Sequence, residues 1–341
     1  MRSVIYSKPG PSSVLQLTER EPAAPGPDEV RVRVAVSGVN PTDWKARAGN
    51  RPLELDEVVP NQDGAGVIDA VGADVDDLQV GDRVWVFLAA HQRPTGTAQE
   101  FTVLPASRVV PLPDDIGFDV AASLGVPAMT AHRALTVHEL GPAHLSPGSL
   151  DGRVVLVQGG AGAVGHAAIQ LARWAGATVI ATVSSDEKAA LASAAGADHV
   201  LQYPDGALAS KVRSIAPNGV DQIVEVALAQ NAALDAEVLA NHGSIAYYAN
   251  NNGDEFTAPI MASFAKNARW QGVLLYTVGQ EALAAAAHDI SAALEAGALP
   301  VGEDAGLPLT WFGLEDTAAA HDAVEAGVTG KVLIRIADDL R

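Results

Sequence analysis

The stretch that decides the fold reads Gly152-Arg-Val-Val-Leu-Val-Gln-Gly-Gly-Ala-Gly-Ala-Val-Gly165. Its first half contains Val154 to Val157, a short run of branched apolar residues that is typical of a strand buried on both faces of a parallel sheet. Its second half places Gly160, Gly162 and Gly165 in the spacing G-x-G-x-x-G, and the residues that follow read as a helix. The sequence therefore predicts a strand, a glycine-rich turn and a helix in succession.

In a dinucleotide-binding site, each glycine of this turn is required for a physical reason. A tight turn, a close approach of the backbone to a pyrophosphate and close helix–strand packing all exclude a Cβ atom, and the helix N-terminus offers N–H groups to the anion. A glycine-rich loop in a chain rich in alanine is the plainer interpretation, but the position between a strand and a helix favours dinucleotide binding. The predicted cofactor-binding residues here are Gly160, Ala161, Gly162, Ala163, Val164 and Gly165.

The end of the next predicted strand, Thr178 to Val183, favours NADPH over NADH. A site specific for NAD usually has Asp or Glu there, about 20 residues after the glycines, to bind the ribose 2′-hydroxyl. This chain has Ser184 and Ser185, which suit a phosphate, and Lys188 one turn into the following helix. The acidic residues at 186 and 187 point mildly the other way, although the helix dipole also explains them. A solvated lysine is the alternative interpretation of Lys188.

Composition restricts the class of protein. The chain has 341 residues, which favours two domains, and its formal net charge of −19 disfavours nucleic acid and anionic membranes as partners. It has no cysteine, so disulfides, thiolate nucleophiles and cysteine-bound zinc are excluded. The N-terminus does not read as a signal peptide, and no apolar run reaches 18 residues. We expect a cytoplasmic protein without membrane insertion.

The order of predicted elements indicates an α/β protein with two different sheets. Residues 1–122 are rich in alternating strands and turns, which predicts a partly open β-barrel. A doubly wound Rossmann sheet follows. Its further helices are predicted at 186–195, 206–215 and 230–240, and its further strands at 199–203, 220–226, 243–248 and 271–276. We expect a dinucleotide-binding domain at 123–276 and a discontinuous catalytic domain at 1–122 and 277–341.

Several motifs together resemble one family over nearly the full length. They are Gly38-Val-Asn-Pro-Thr-Asp, Gln62-Asp-Gly-Ala-Gly-Val-Ile, Val80-Gly-Asp-Arg-Val, Gly96-Thr-Ala-Gln-Glu-Phe, Val126-Pro-Ala-Met-Thr-Ala-His-Arg-Ala-Leu, the glycine loop and Thr329-Gly-Lys-Val. The chain resembles the medium-chain dehydrogenases/reductases, and within them the zinc-independent NADPH:quinone oxidoreductases of the zeta-crystallin type. The resemblance implies a GroES-like barrel as the catalytic domain and a homodimer.

The same resemblance argues against a catalytic zinc. The zinc alcohol dehydrogenases of this superfamily bind the metal with two cysteines and a histidine, and the matching positions here are Asn40, Gln62 and Val126. None of these is a usual zinc ligand. The nine histidines show no spacing typical of a ligand pair. The sequence therefore predicts no metal site.

The resemblance also implies which residues act on the substrate. Asn40 matches an active-site asparagine, although it also suits a turn before Pro41. Thr130 resembles a contact to the nicotinamide ribose, with an ordinary helix residue as the alternative. Lys45 stands where many members have a tyrosine, so it is a candidate proton donor or anion contact, or simply a solvated lysine. Asp63 is expected to brace the site.

Three further cofactor contacts are expected in the nucleotide domain. Tyr203 ends the third strand, near the 2′-phosphate in the family, with a core tyrosine as the alternative. Asn250 follows a strand end, where open α/β sheets bind ligands. The segment from Val273 to Leu275 is expected to flank the nicotinamide and to offer a sheet edge for a dimer.

Three functions compatible with this sequence remain. The first is hydride transfer from NADPH to a quinone. The second is NADPH-dependent reduction of an activated C=C bond in an enone, enoyl or haloacrylate substrate, which the same fold and cofactor would serve. The third is a structural or sensor protein that binds NADPH without catalysis. The intact glycine loop and Asn40 argue against the third.

Overall fold

The chain divides into two compact units. The computed structural model describes residues 1–50, 52–203 and 207–340. Unit 1 contains Met1–Pro127 and the chain from Pro308 onward, and unit 2 contains Ala128–Leu307. The sequence placed the boundaries after residues 122 and 276, so the second boundary falls later in the structure. One reason is that the buried Asp289 is hydrogen-bonded to His132, which ties the helix around residue 289 to unit 2.

The described residues form fifteen strands and ten α-helices. Up to residue 136 they are β1 (Arg2–Ile5), β2 (Gln16–Glu19), β3 (Glu29–Val39), α1 (Pro41–Ala48), β4 (Asp63–Val71), β5 (Arg83–Val86), β6 (Phe101–Pro105), β7 (Val109–Pro111), α2 (Phe118–Ala122) and α3 (Gly125–Thr136). After it they are β8 (Val154–Gln158), α4 (Ala163–Trp174), β9 (Thr178–Val183), α5 (Asp186–Ala194), β10 (His199–Gln202), α6 (Leu208–Ile215), β11 (Val220–Glu225), α7 (Leu228–Val238), β12 (Leu239–Tyr247), α8 (Ile260–Phe264), β13 (Arg269–Gly272), α9 (Gln280–Glu295), β14 (Leu309–Gly313), α10 (Thr317–Glu325) and β15 (Lys331–Arg335). Within the described residues, no helix is both long and apolar enough to cross a membrane.

Unit 2 is built on a parallel six-stranded sheet. Its strand order is β10-β9-β8-β11-β12-β13, and each neighbouring pair is parallel. Counted within the unit, this is the order 3-2-1-4-5-6 of a doubly wound Rossmann sheet. The central strand β8 is fully buried at Val155, Leu156 and Val157, as its apolar run predicts. The strand order reverses between β8 and β11, where such sheets bind ligands beyond the strand ends.

Unit 1 is built on a separate, mostly antiparallel sheet. Its order is β14-β15-β3-β4-β5-β7, and β6 pairs with β3. Only the pair of β14 and β15 is parallel in this sheet. The alternation in β3 buries Val30, Val32 and Val34, because every second side chain of a strand points to the same face. The predicted fold class, a Rossmann sheet with a second β domain, is confirmed.

A few predicted elements differ from the structure. The strand expected at 271–276 is β13, which ends at Gly272, and a single 3-10 turn, Leu275–Thr277, follows. The helix expected at 206–215 begins at Leu208, and residue 206 lies outside the described residues.

Gly165 offers a test of the glycine spacing. A Cβ atom at Gly165 would lie 2.3 Å from the carbonyl oxygen of Gly159, whereas at Gly162 the nearest atom would be 3.5 Å away. We expect Gly165→Ala to lower the free energy of unfolding by about 1–3 kcal/mol, because rigid backbone has to move. Gly162→Ala is the matched control and is expected to lose much less. Equal losses in chemical denaturation would contradict the steric argument.

Candidate functional site

The glycine loop of unit 2 forms an open cradle at the end of β8. Gly159 takes the left-handed conformation, with φ of 74°, and so makes the tight turn that the sequence assigned to the three spaced glycines. Gly160 permits close packing, because a Cβ there would lie 2.9 Å from the Cβ of Ala181. Gly162 is exposed, and a Cβ there would touch only Gly159. The loop is therefore packed tightly on one side and accessible on the other.

The helix after this loop supplies the anion-binding end. α4 begins at Ala163 with Gly162 as its N-cap residue, and no side chain of the described residues caps it. The first N–H groups of a helix have no carbonyl partner within it, so those of Ala163, Val164 and Gly165 are suited to a phosphate. Ala161 is buried under the loop. The residues present thus fit the pyrophosphate of a dinucleotide.

The end of β9 contains both a structural and a candidate binding hydroxyl. Ser185 is the N-cap of α5, and its Oγ accepts a hydrogen bond from the Lys188 N–H at 3.3 Å. Ser184 and Lys188 are half-buried beside it. Asp186 accepts a hydrogen bond from Gln202 of β10 at 2.6 Å, which gives this carboxylate a structural partner. Binding of a 2′-phosphate by Ser184, Ser185 and Lys188 stays a prediction.

The other three predicted cofactor contacts lie in different surroundings. Tyr203 directly follows β10 and is 50% exposed, so it is not a core tyrosine. Asn250 lies in the exposed loop after β12 and donates a hydrogen bond to Asp254 at 2.6 Å. Leu275 is buried in unit 2 at the start of its 3-10 turn. Their contacts to a cofactor stay predictions.

A buried polar chain, which the sequence analysis missed, joins the strand ends around the cradle. Thr182 of β9 donates to Gln158 of β8, and Gln158 donates to Asp235 of α7 at 3.1 Å. Glu225, the last residue of β11, accepts from Asn231 and from the Ala227 N–H. Burial raises the pKa of Glu225, and burial together with Glu225 raises that of Asp235. These contacts hold the ends of β8, β9 and β11 in place.

In unit 1, Asn40 is held by groups that determine which way its amide faces. It occupies the N-cap position of α1 before Pro41, as a turn residue would. Its side chain, however, accepts a hydrogen bond from the Lys331 Nζ at 2.7 Å and donates from Nδ2 to Asp63 Oδ2 at 2.6 Å. Because an ammonium only donates and a carboxylate only accepts, these partners fix the amide orientation. Its Nδ2 carries a second N–H, and the residue is buried, with 2% of its surface exposed.

Asp63 connects this cluster to the rest of unit 1. Its Oδ1 accepts from the Val126 N–H at 2.8 Å, and its Oδ2 lies 3.5 Å from the Lys331 Nζ. A Cβ at Gly125 would lie only 2.0 Å from Asp63 Oδ1, so this position has no room for a side chain. Asp63 is fully buried, and its role in bracing the site stays a prediction. We refer to Asn40, Asp43, Asp63 and Lys331 as the Asn40 cluster.

The charges of the Asn40 cluster influence one another. Asp43 accepts the Asn40 N–H at 2.7 Å through Oδ2. Burial, and then the Asp63 carboxylate, raise the pKa of Asp43 to about 8. Burial also raises the pKa of Asp63, against the opposing effect of Lys331, and lowers that of Lys331 itself. Lys331 therefore faces two carboxyl groups, and the pKa of about 8 lets Asp43 hold a proton at neutral pH.

A cavity of about 360 Å³ opens beside this cluster, entirely within unit 1. Its volume lies in the range of about 300–1,000 Å³ that is usual for small-molecule sites. Asp43 and Gln62 are buried in its wall, and Asp43 Oδ1 and Gln62 Oε1 have no hydrogen-bond partner among the described residues. Its lining consists of Tyr6, Asp43, Ala46, Pro52, Leu53, Glu54, Leu55, Val58, Pro60, Asn61, Gln62, Ala90, His91, Gln92 and Arg93.

One wall residue of the cavity has a strained backbone. Asn61 is buried and has φ of 77°, a left-handed conformation that costs free energy in a residue other than glycine. Its amide donates to Ser37 Oγ at 3.0 Å, and its Oδ1 pairs with His321 Nε2 at 2.9 Å. Ser37 pairs in turn with Thr97 at 2.7 Å. This chain of hydrogen bonds keeps the cavity wall in place.

Of the three predicted catalytic residues, only Asn40 belongs to the Asn40 cluster. Asn40 is in the cluster and is joined to the cavity residue Asp43. Lys45 lies on α1 with its Nζ 5.9 Å from the centre of the Trp44 ring, outside the cavity lining. Thr130 is buried in α3 and belongs to unit 2. Lys331 has no role in the sequence analysis, although the motif Thr329-Gly-Lys-Val contains it.

Comparison with known proteins places these two units in one family. A model of the alcohol dehydrogenase GroES-like domain matches residues 26–114, and a model named zinc-binding dehydrogenase matches residues 163–292. The chain is 30% identical to a quinone oxidoreductase of Lama guanicoe, over 98% of this chain and 97% of that protein. It is 33% identical to a 2-haloacrylate reductase of a Burkholderia species, over 74% of each.

Solved structures agree with this assignment. An NAD-dependent alcohol dehydrogenase matches with a TM-score of 0.86 and 29% identity, over 99% of this chain and 100% of that one. A mycobacterial protein solved with NADPH matches with a TM-score of 0.82 and 30% identity, over 98% and 100%. A Rossmann unit combined with a GroES-like domain defines an oxidoreductase that binds a nicotinamide dinucleotide. The chain belongs to the medium-chain dehydrogenase/reductase superfamily, in its zeta-crystallin-type branch.

The raised pKa of Asp43 predicts a pH-dependent stability. The folded-state pKa of about 8 lies above the unfolded value of about 3.9, so the folded form binds the extra proton between them. The stabilisation from this proton is complete below the unfolded pKa and is lost as the pH rises through the folded pKa. We expect the free energy of unfolding of the wild type to fall, relative to that of Asp43→Asn, by up to about 1.4 kcal/mol per pH unit between pH 6.5 and 8.

Denaturant titrations at several pH values measure this difference. Asp77→Asn, at an exposed position, is the control and is expected to keep the wild-type slope. Parallel curves for the wild type and Asp43→Asn would contradict a proton held in the Asn40 cluster.

Proposed function

We propose that this protein transfers a hydride from NADPH to a quinone without a catalytic zinc ion. Unit 2 holds the cofactor, and unit 1 holds the acceptor beside Asn40 and the cavity-wall residue Asp43. The observation that carries the proposal is the fixed amide of Asn40, because a preorganised donor stabilises charge that develops on a substrate oxygen. The quinone oxidoreductase of Lama guanicoe, similar over nearly the full length, supports the choice of acceptor.

The chemistry of the Asn40 cluster supports a reaction without zinc. The positions of the zinc ligands in the zinc enzymes are occupied by Asn40, Gln62 and Val126, and Val126 contributes only its backbone N–H, to Asp63. Lys331 already places a positive charge 2.7 Å from Asn40 and 3.5 Å from Asp63. A divalent cation there would be repelled by this ammonium. A quinone needs less polarisation than an alcohol, so hydrogen-bond donors suffice.

Each group then has one role in a two-electron reduction. The bound NADPH supplies the hydride. Asn40 donates the second N–H of its amide to the substrate oxygen on which negative charge develops. Asp43 lies in the cavity wall with its Oδ1 free of protein partners among the described residues, and it holds a proton at neutral pH. It therefore supplies the proton that completes the hydroquinone, and solvent restores it.

Selection of NADPH is assigned to Ser184, Ser185 and Lys188. No acidic residue directly ends β9, where an NAD-specific site would place one. The mycobacterial protein solved with NADPH supports this assignment, while the similar NAD-dependent alcohol dehydrogenase means that local residues, not the fold, select the cofactor.

Reduction of an activated C=C bond is the second candidate. It is favoured by the similarity to the 2-haloacrylate reductase, which covers 74% of each chain. The same Asn40 amide would then stabilise the enolate or the substrate carboxylate. We also propose a homodimer, for which β13 offers the exposed edge of the parallel sheet.

Oxidation of NADPH at 340 nm tests the substrate and the cofactor together. We expect turnover with 1,4-benzoquinone and 9,10-phenanthrenequinone, none with 2-cyclohexenone or 2-chloroacrylate, and a higher kcat/KM with NADPH than with NADH. Turnover confined to the enone or the acrylate would establish the second candidate. A preference for NADH would contradict the role of Ser184 and Lys188.

Replacement of Asn40 tests the proposed donor. Asn40→Ala is expected to lower kcat for the quinone by about 100- to 1,000-fold, as loss of one oxyanion donor does. Binding of NADPH to unit 2, measured by fluorescence titration, is expected to keep its wild-type Kd, which serves as the internal control for folding. A kcat within a few-fold of the wild type would show that Asn40 is not the donor.

A further inference from the structure

Unit 2 contains a second group of ligand-type side chains, far in sequence from the glycine loop. Asp289 lies on α9, and three histidines surround its carboxylate. Oδ1 lies 3.0 Å from the Nδ1 atoms of both His144 and His288. Oδ2 lies 2.7 Å from the Nε2 of His132 and accepts the Leu145 N–H at 2.7 Å. One oxygen is therefore held by the interior, and the other faces two imidazoles.

The carboxylate and the two histidines around its Oδ1 also differ in exposure to solvent. The side chain of Asp289 is only 2% exposed, whereas those of His144 and His288 are 61% and 79% exposed. The carboxylate is thus fixed at the edge of the interior, and the two outer imidazoles stand at the surface. Exposed imidazoles can turn with little cost, since solvent replaces their contacts.

The spacing of the ligand atoms suits a tetrahedral transition metal. One ring nitrogen of His144, one of His288 and one carboxylate oxygen of Asp289 all lie within 4.8 Å of one another. Zinc bonds of about 2.0–2.1 Å in a tetrahedral arrangement place neighbouring ligand atoms about 3.3 Å apart. Both histidine nitrogens are already 3.0 Å from Asp289 Oδ1. These two separations are already close to that spacing.

We propose that His144, His288 and Asp289 bind a Zn²⁺ ion. Nitrogen ligands with one carboxylate match the preference of this ion, and a water molecule completes the four-coordinate shell. His132 and the Leu145 N–H act on the ion through Asp289, because hydrogen bonds to a ligating carboxylate fix its orientation. The site is separate from the Asn40 cluster, which belongs to unit 1, and does not depend on the proposed reaction.

The position of the site indicates what the ion does for the fold. His144 belongs to the connection between α3 and β8, residues 137–153, which has neither helix nor strand. Connections longer than about 12–15 residues without such structure are uncommon in compact domains. Asp289 and His288 belong to α9. A bound ion therefore ties this long connection to a helix of the same unit and stabilises the folded state, since the unfolded chain does not preform the site.

Metal binding by tag-free, chelator-stripped protein tests the proposal. We expect one Zn²⁺ per chain after equilibration and dialysis, and a visible Co²⁺ spectrum of the tetrahedral type when cobalt replaces zinc. His144→Ala and His288→Ala, both at exposed positions, are each expected to abolish stoichiometric binding and the zinc-dependent rise in unfolding temperature. His199→Ala, at another exposed position in unit 2, is the matched control and is expected to behave as the wild type.

The hydrogen bond between His132 and Asp289 allows an independent measurement. His132→Gln is expected to keep the stoichiometry and to weaken zinc binding by about 10- to 100-fold in competition with a chromogenic chelator. Zinc binding that is equal in the wild type and in the double variant His144→Ala/His288→Ala would overturn the proposal. Equal losses in His199→Ala and His144→Ala would also overturn it, because the binding would then be that of scattered surface histidines.

Discussion

The ammonium of Lys331 is buried in unit 1 between Asn40 and two carboxyl groups, and much of the local structure follows from that burial. An isolated buried charge is costly, so it persists only where opposite charge and hydrogen bonds compensate it. Lys331 has Asn40 Oδ1 at 2.7 Å and Asp63 at 3.5 Å. The same constraint fixes Asn40, because its amide oxygen must face the ammonium. Gly38 leaves room for the lysine stem, since a Cβ there would lie 3.1 Å from Lys331 Cε.

In unit 2, the ends of the parallel strands position the polar side chains. Parallel strands end at one edge of the sheet, and Gln158, Thr182 and Glu225 stand at or near the ends of β8, β9 and β11. Thr182 and Gln158 hydrogen-bond to each other, and Glu225 accepts from Asn231 and from the Ala227 N–H, so these strand ends are held in place before a ligand arrives. The glycine loop is left without side chains above the helix N-terminus. Rigid strand ends and a bare loop are what a pyrophosphate site requires.

Sequence reasoning succeeded where a few contiguous residues carry the information. The strand β9 was predicted with its observed bounds, because a short run of mostly β-branched residues is a local signal. The fold class followed from the succession of strands and helices. The boundary between the units was harder to predict from the sequence, because it depends on α9. The alanine-rich sequence of α9 does not indicate which unit it packs against. His132 and Asp289 decide that, and they are 157 residues apart.

The sequence by itself determined the dinucleotide fold and the lack of cysteine ligands, because glycine spacing and residue chemistry are properties of short segments. Its resemblance to a family made Asn40 a candidate. Only the tertiary structure showed that Lys331 meets Asn40 across 291 positions, and that His144 and His288 meet at Asp289. Such contacts depend on which strands pair and which helices pack. No periodicity along the chain encodes them, since they join segments that are neighbours only in the folded protein.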